Sequence, residues 1–118
     1  MSLYFKDPWD LFKPPVKIGN TPVRLLRVSI SGLHHTVALK EESFNMFGSI
    51  KDRIAWGLLV DVHKKGRFES CSQVVDVSSG NYGVALAGLG NHLGLHVSII
   101  APENISTSNR TAIIRIWC

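Results

Sequence analysis

Cysteine is scarce in this chain. There are two among 118 residues, Cys71 and Cys118, at no metal or redox spacing, so both read as buried or incidental thiols. The five histidines, His34, His35, His63, His92 and His96, form no HExxH or Cys/His cluster, which leaves metal chemistry without a ligand set. No apolar run reaches membrane-spanning length. The stretch from Met1 to Pro15 carries Lys6, Asp7, Asp10 and Lys13 and no apolar core, so it is no secretory signal. The expected location is therefore cytoplasmic, and the glycosylation-like triplets at Asn104 and Asn109 carry no meaning there. Charge is low as well, at 19% of residues with a net of +4. The basic side chains are scattered, with no basic helix interleaved with aromatics, which argues against nucleic acid and for small anionic ligands. Internal repeats and low-complexity tracts are also missing.

What is present is the composition of one globular domain. Hydrophobic residues make up 45% of the chain, and the length suffices for a real core. Residues 1–22, punctuated by Pro8, Pro14, Pro15 and Pro22, read as an extended segment. Residues 23–118 read as an α/β domain. Strands are predicted at Val23–Ile30 and Thr36–Lys40, pairing as a hairpin across Ser31-Gly32. A helix is predicted from Ser49 to Lys65, with Ile50, Ile54, Leu58 and Val62 on one apolar face and a Ser49/Asp52 capping pattern. A strand at Val74–Val77, a small-residue helix at 82–93 ended by Gly94, a strand at Val97–Ala101 and a helix at 107–116 complete the pattern. Such alternation predicts a parallel sheet with right-handed crossovers. The last helix runs toward the terminus with no stop signal, an odd end for a complete domain.

Two segments carry chemistry. Gly48-Ser49-Ile50-Lys51-Asp52-Arg53 places a lysine in the first turn of a helix, where its amine could form an imine with an aldehyde. The alternative is a surface lysine paired with Asp52. Ser78-Ser79-Gly80-Asn81 follows a run of valines and opens a helix, the place where open α/β sheets bind ligands and where a carboxylate or phosphate suits the helix N-terminus. The alternative is a plain helix cap. Gly88, Gly90 and Gly94 echo a dinucleotide fingerprint but lie inside and after their helix, so that reading is discarded. Trp9, Trp56 and Trp117 read as packing residues.

Together with Ile18-Gly19-Asn20-Thr21-Pro22, Lys40 to Asn45, and Ser78 to Gly83, the lysine segment resembles the cysteine synthase (O-acetylserine sulfhydrylase) and cystathionine β-synthase group. The resemblance implies a three-layer parallel-sheet unit of the fold-type II (tryptophan synthase β-like) enzymes, truncated to its N-terminal part. By that resemblance the cofactor is pyridoxal 5'-phosphate, held by Lys51, which also moves the substrate α-proton. Asn81 would bond the pyridine ring's 3′ oxygen, and Ser78, Ser79, Gly80, Asn81 and the Tyr82 backbone would grip the substrate carboxylate. The implied reaction is β-replacement on an activated serine by a thiol or sulfide, with a small amino acid as substrate. Met46 and Phe47 depart from the usual proline or alanine and glycine, and Tyr82 from a common threonine. The family's phosphate cup and the hydroxyl facing the pyridine nitrogen lie beyond Cys118, so the chain alone is expected to be inactive. Rival readings are a non-catalytic docking module that pairs with itself or with a full-length relative, a diaminopropionate synthase or dehydratase relative, and a product that never folds stably.

Overall fold

The computed structural model describes residues 9–69 and 73–116. Cys71, Cys118 and Trp117 lie outside the described residues. The elements are β1 (Val23–Ile30), β2 (Leu33–Lys40), α1 (Lys51–Lys64), β3 (Gln73–Val77), α2 (Asn81–His92), β4 (His96–Ile100) and α3 (Thr107–Ile116), with 3-10 turns at Glu42–Phe44 and Arg67–Glu69.

β1 and β2 form the expected hairpin, antiparallel and in register from Val23↔Lys40 to Ile30↔Leu33. Ser31 (φ 51°) and Gly32 (φ 77°) turn it; two successive positive φ values match the twist of the flanking strands. Among the described residues the hairpin forms its own sheet, and β3 and β4 form a second, parallel one. The strand–helix alternation suggested a parallel sheet, and β3 and β4 form one, while the hairpin strands pair with each other, as expected. Every hairpin residue except Val28 is exposed. With the hairpin projecting, the radius of gyration is 17.7 Å, against roughly 13.5 Å for a compact domain of this length.

The core lies between the helices and one face of the β3–β4 sheet. Ala55, Trp56, Leu59 and Val60 of α1 meet Ala85, Leu86 and Leu89 of α2 and Val97 of β4. This corrects the face expected for α1. Ile50, Ile54 and Leu58 are 53%, 51% and 42% exposed, while Asp52, Ala55, Trp56, Leu59 and Val60 are buried. The helix is apolar on two stripes, and the buried one is the stripe whose Ala55 admits close approach to α2. Trp56 is held there by donating to the Leu11 carbonyl at 3.1 Å and by stacking on Trp9, ring centroids 6.0 Å apart. Trp9 also stacks on His63 at 4.5 Å, so both described tryptophans are packing residues.

α2 is built to lie close to its neighbours. A Cβ on Gly88 would overlap the Phe47 ring, and one on Gly90 would overlap Val97 Cγ2. These glycines therefore serve packing, consistent with setting the dinucleotide reading aside. Gly94 (φ 71°) ends the helix, with Leu95 N–H donating to Gly90 O at 2.8 Å and Gly94 N–H to Asn91 O at 3.3 Å, the paired bonds of a left-handed C-terminal cap. No described helix is long and apolar enough to cross a membrane.

Gly88→Ala is expected to destabilise the chain by about 1–3 kcal/mol through overpacking. A urea titration reads this as a lower midpoint, and adding Phe47→Leu should recover part of the loss.

Candidate active site

The loop that delivers Lys51 is fixed by one buried amide. Asn45 Oδ1 accepts from Gly19 N–H at 2.7 Å. Its Nδ2 donates to Glu42 O at 2.9 Å, Glu42 Oε2 at 2.8 Å and Ser49 O at 2.9 Å. Glu42 in turn accepts from Thr21 Oγ1 at 2.7 Å and from Arg53 in a two-pronged pair, Nε at 2.7 Å and Nη2 at 3.0 Å. Three sequence blocks, 18–22, 40–45 and 48–53, are thus one hydrogen-bonded knot. Bonds to Arg53, Thr21 and Asn45 hold the Glu42 carboxyl down at about 2, against an ordinary 4.5.

Asp52 closes the same loop from below. It is fully buried, and its Oδ2 accepts from Phe47 N–H at 2.6 Å, while Oδ1 is buried without a partner among the described residues. Burial pushes its carboxyl up, against the Phe47 N–H. Asp52 is therefore occupied with the backbone instead of pairing with Lys51. Ser49 Oγ accepts from Lys51 N–H at 3.1 Å, so Ser49 does cap the helix start, one residue beyond the assigned boundary at Ile50.

Lys51 is the first residue of α1 and is exposed. Its amine makes no hydrogen bond or ion pair among the described residues. It stands one and two turns before Ala55 and Leu59, positions that share its stripe on the helix and that are buried against α2. Asn81 heads α2 in the same way, aligned with Ala85 and Leu89 of that core. Both residues thus head the stripes by which the two helices pack.

The 78–82 loop is shaped by Ser78, which turns inward. Its Oγ accepts from Gly83 N–H at 2.9 Å and Gly80 N–H at 3.3 Å, and its own N–H extends the ladder to Ile100 O at 3.0 Å. The capping alternative is realised by Ser78. The backbone N–H groups of Ser79, Asn81 and Tyr82 donate to nothing among the described residues, and the Ser79 and Asn81 side chains are exposed. Nothing lies within 4 Å of where a Cβ on Gly80 would stand. Asn109 Nδ2 donates to Ser79 O at 3.1 Å, which ties the start of α3 to the same end of the sheet. The Tyr82 hydroxyl donates to Asp76 Oδ2 at 2.8 Å. Sequence reasoning gave no role to this side chain, nor to Thr21, Glu42, Asn45 and Arg53. The signal for the last four was the blocks themselves, whose polar residues find their partners only in other blocks.

An amine and three backbone N–H groups at a helix N-terminus, all without a partner among the described residues, and an exposed carboxamide suit an aldehyde cofactor and an amino-acid carboxylate. Comparison with known proteins agrees on the class. The sequence profile of the family described as "Pyridoxal-phosphate dependent enzyme" matches residues 16–116. The chain belongs to that family. It is 38% identical over 99 residues to a cysteine synthase of Aquifex aeolicus, covering 81% of this chain and 30% of that enzyme. It is also 38% identical over 92 residues to the cystathionine beta-synthase of Rattus norvegicus, covering 76% of this chain and 16% of that protein. The crystal structure of cysteine synthase from Entamoeba histolytica superposes with a TM-score of 0.75 at 27% identity, covering 86% of this chain and 31% of that one. The fold is that of the fold-type II pyridoxal-phosphate enzymes, and the chain spans about three-tenths of the length of the cysteine synthases it matches.

Acid should loosen the knot. Glu42 has its folded pKa lowered to about 2 from 4.5, so its stabilising share is complete above pH 4.5 and is lost as pH falls through 2. Asp52, shifted upward, works in the opposite sense. Thermal melts of Glu42→Gln and the parent across that window isolate the first effect: the parent should lose more stability than the variant.

Proposed function

We propose that this chain carries the lysine and carboxylate-binding half of a cysteine-synthase-like β-replacement site. The observation that carries the reading is a Lys51 amine without a hydrogen bond, and N–H groups of Ser79, Asn81 and Tyr82 without an acceptor, among the described residues. In this reading Lys51 anchors pyridoxal phosphate and moves the proton at the substrate α-carbon. Asn81 bonds the cofactor ring through its carboxamide. The Ser79–Tyr82 backbone, with the Ser79 hydroxyl, orients the substrate carboxylate, while Ser78 holds the loop's shape from inside. The cofactor, when bound, supplies the electron sink for the substrate α-carbon. The substrate is an O-activated serine or serine itself, and the nucleophile a thiol or sulfide. Support comes from similarity to cysteine synthases at 35–38% identity.

A second reading, a docking module that pairs with a copy or a longer relative, is favoured by the hairpin. Leu26, Ile30, Leu33, Val37 and Leu39 are all exposed there, and by alternation and register they share one face. Parallel sheets and apolar hairpin faces are normally covered.

Adding pyridoxal phosphate should produce a visible absorbance band that borohydride reduction fixes as a pyridoxyl label on Lys51, located by mass spectrometry. Lys51→Ala should abolish the label. Labelling at another lysine, with Lys51 unmodified, would overturn the assignment and leave the docking reading in its place.

A further inference from the structure

We propose that Tyr82 is a positioning residue whose phenol, bonded to Asp76 in β3, aims the free N–H groups of the α2 N-terminus at a substrate carboxylate. The inference rests on the carboxylate-binding reading of residues 79–82 and adds a side chain to it.

Asp76 lies on the face of β3 that also presents Val74, beside Val97 and Ile99 of β4, and this is the face covered by the helices. A carboxylate there needs donors. It has two: Val77 N–H at 2.7 Å to Oδ1 and the Tyr82 hydroxyl at 2.8 Å to Oδ2. The second ties the first turn of α2 directly to the strand beneath it. Tyr82 is itself half-buried and packs against the core cluster. Burial first, and the bond to Asp76 second, push its phenol above the ordinary tyrosine range, so the hydroxyl stays a donor.

The next residue supplies a second clamp. A Cβ on Gly83 would stand 3.0 Å from Ser78 Cβ and 3.2 Å from Ile99 Cγ2, so the helix sits on the end of the sheet with no slack at that point. The Gly83 contact fixes how close α2 approaches, and the Ser78 cap fixes its first hydrogen bonds. Neither fixes rotation about the helix axis as a lever the length of a tyrosine does. That rotation decides where the N–H groups of Asn81 and Tyr82 point.

The test is backbone amide NMR of the 118-residue chain, titrated with L-serine and with L-serinamide, which lacks the carboxylate. In the parent, L-serine should shift the amides of residues 79–82 and L-serinamide should not. Y82F and D76A should each weaken L-serine about tenfold, as loss of one hydrogen bond to a charged group does. The double variant should be no weaker than either single one, because both break the same bond. Should Y82F fail to fold, D76A decides by the same titration. Parent-like serine affinity in the folded variants, or losses that multiply in the double variant, would overturn the inference and leave the site reading standing. A parent that shows no response to L-serine at 79–82 would instead sink the site reading, and this inference with it.

Discussion

The Asn45 side chain joins three stretches of backbone around the start of α1. Its amide accepts from Gly19 and donates to Glu42 and Ser49, while Glu42 carries the connection outward to Thr21 and Arg53. All of this surrounds the few residues before Lys51. A buried carboxamide with its capacity satisfied is rigid, because any movement strands a polar atom away from water. The position from which α1 starts, and so the place of its first lysine, follows from that constraint. Asp52 adds a second one, holding Phe47 N–H beneath the same turn.

Phe47 passes this rigidity to α2. Its ring lies in the space left by the missing side chain of Gly88, so the lysine loop and the loop-bearing helix are packed as one unit. At the far end of α2, Ser78 serves as an internal cap and releases the remaining N–H groups from any structural duty. Helix caps and anion sites compete for the same donors. Here one serine satisfies the donor of Gly83, and those of Ser79, Asn81 and Tyr82 have no acceptor among the described residues.

Among the described residues three apolar surfaces are left open: one face of the hairpin, the Ile50–Ile54–Leu58 stripe of α1, and the side of the parallel sheet that presents Val75, Val77 and Ile100. A two-stranded parallel sheet covered on one face is unusual, since such sheets are normally covered on both. The chain spans about three-tenths of the length of the cysteine synthases it matches.

Local patterns determined a good deal by themselves. The hairpin with its Ser31-Gly32 turn, the helices around 51–64 and 81–92, the strands at 73–77 and 96–100, and the Gly94 stop all follow from short-range propensity and turn chemistry, and each was legible in the sequence. So was the existence of a lysine loop and a polar loop, because their residue types are unusual for plain connectors. Tertiary structure decided what periodicity leaves degenerate. It chose the Ala55/Leu59 stripe of α1 over the Ile54/Leu58 stripe, because both are apolar and only the smaller one fits against α2. It gave the hairpin its own sheet. It also assigned Ser78 to structure, Glu42 and Asn45 to the knot, and Tyr82 to Asp76. Those roles depend on partners brought together by folding, and hydrogen-bond geometry of that range leaves no periodic trace in a single sequence.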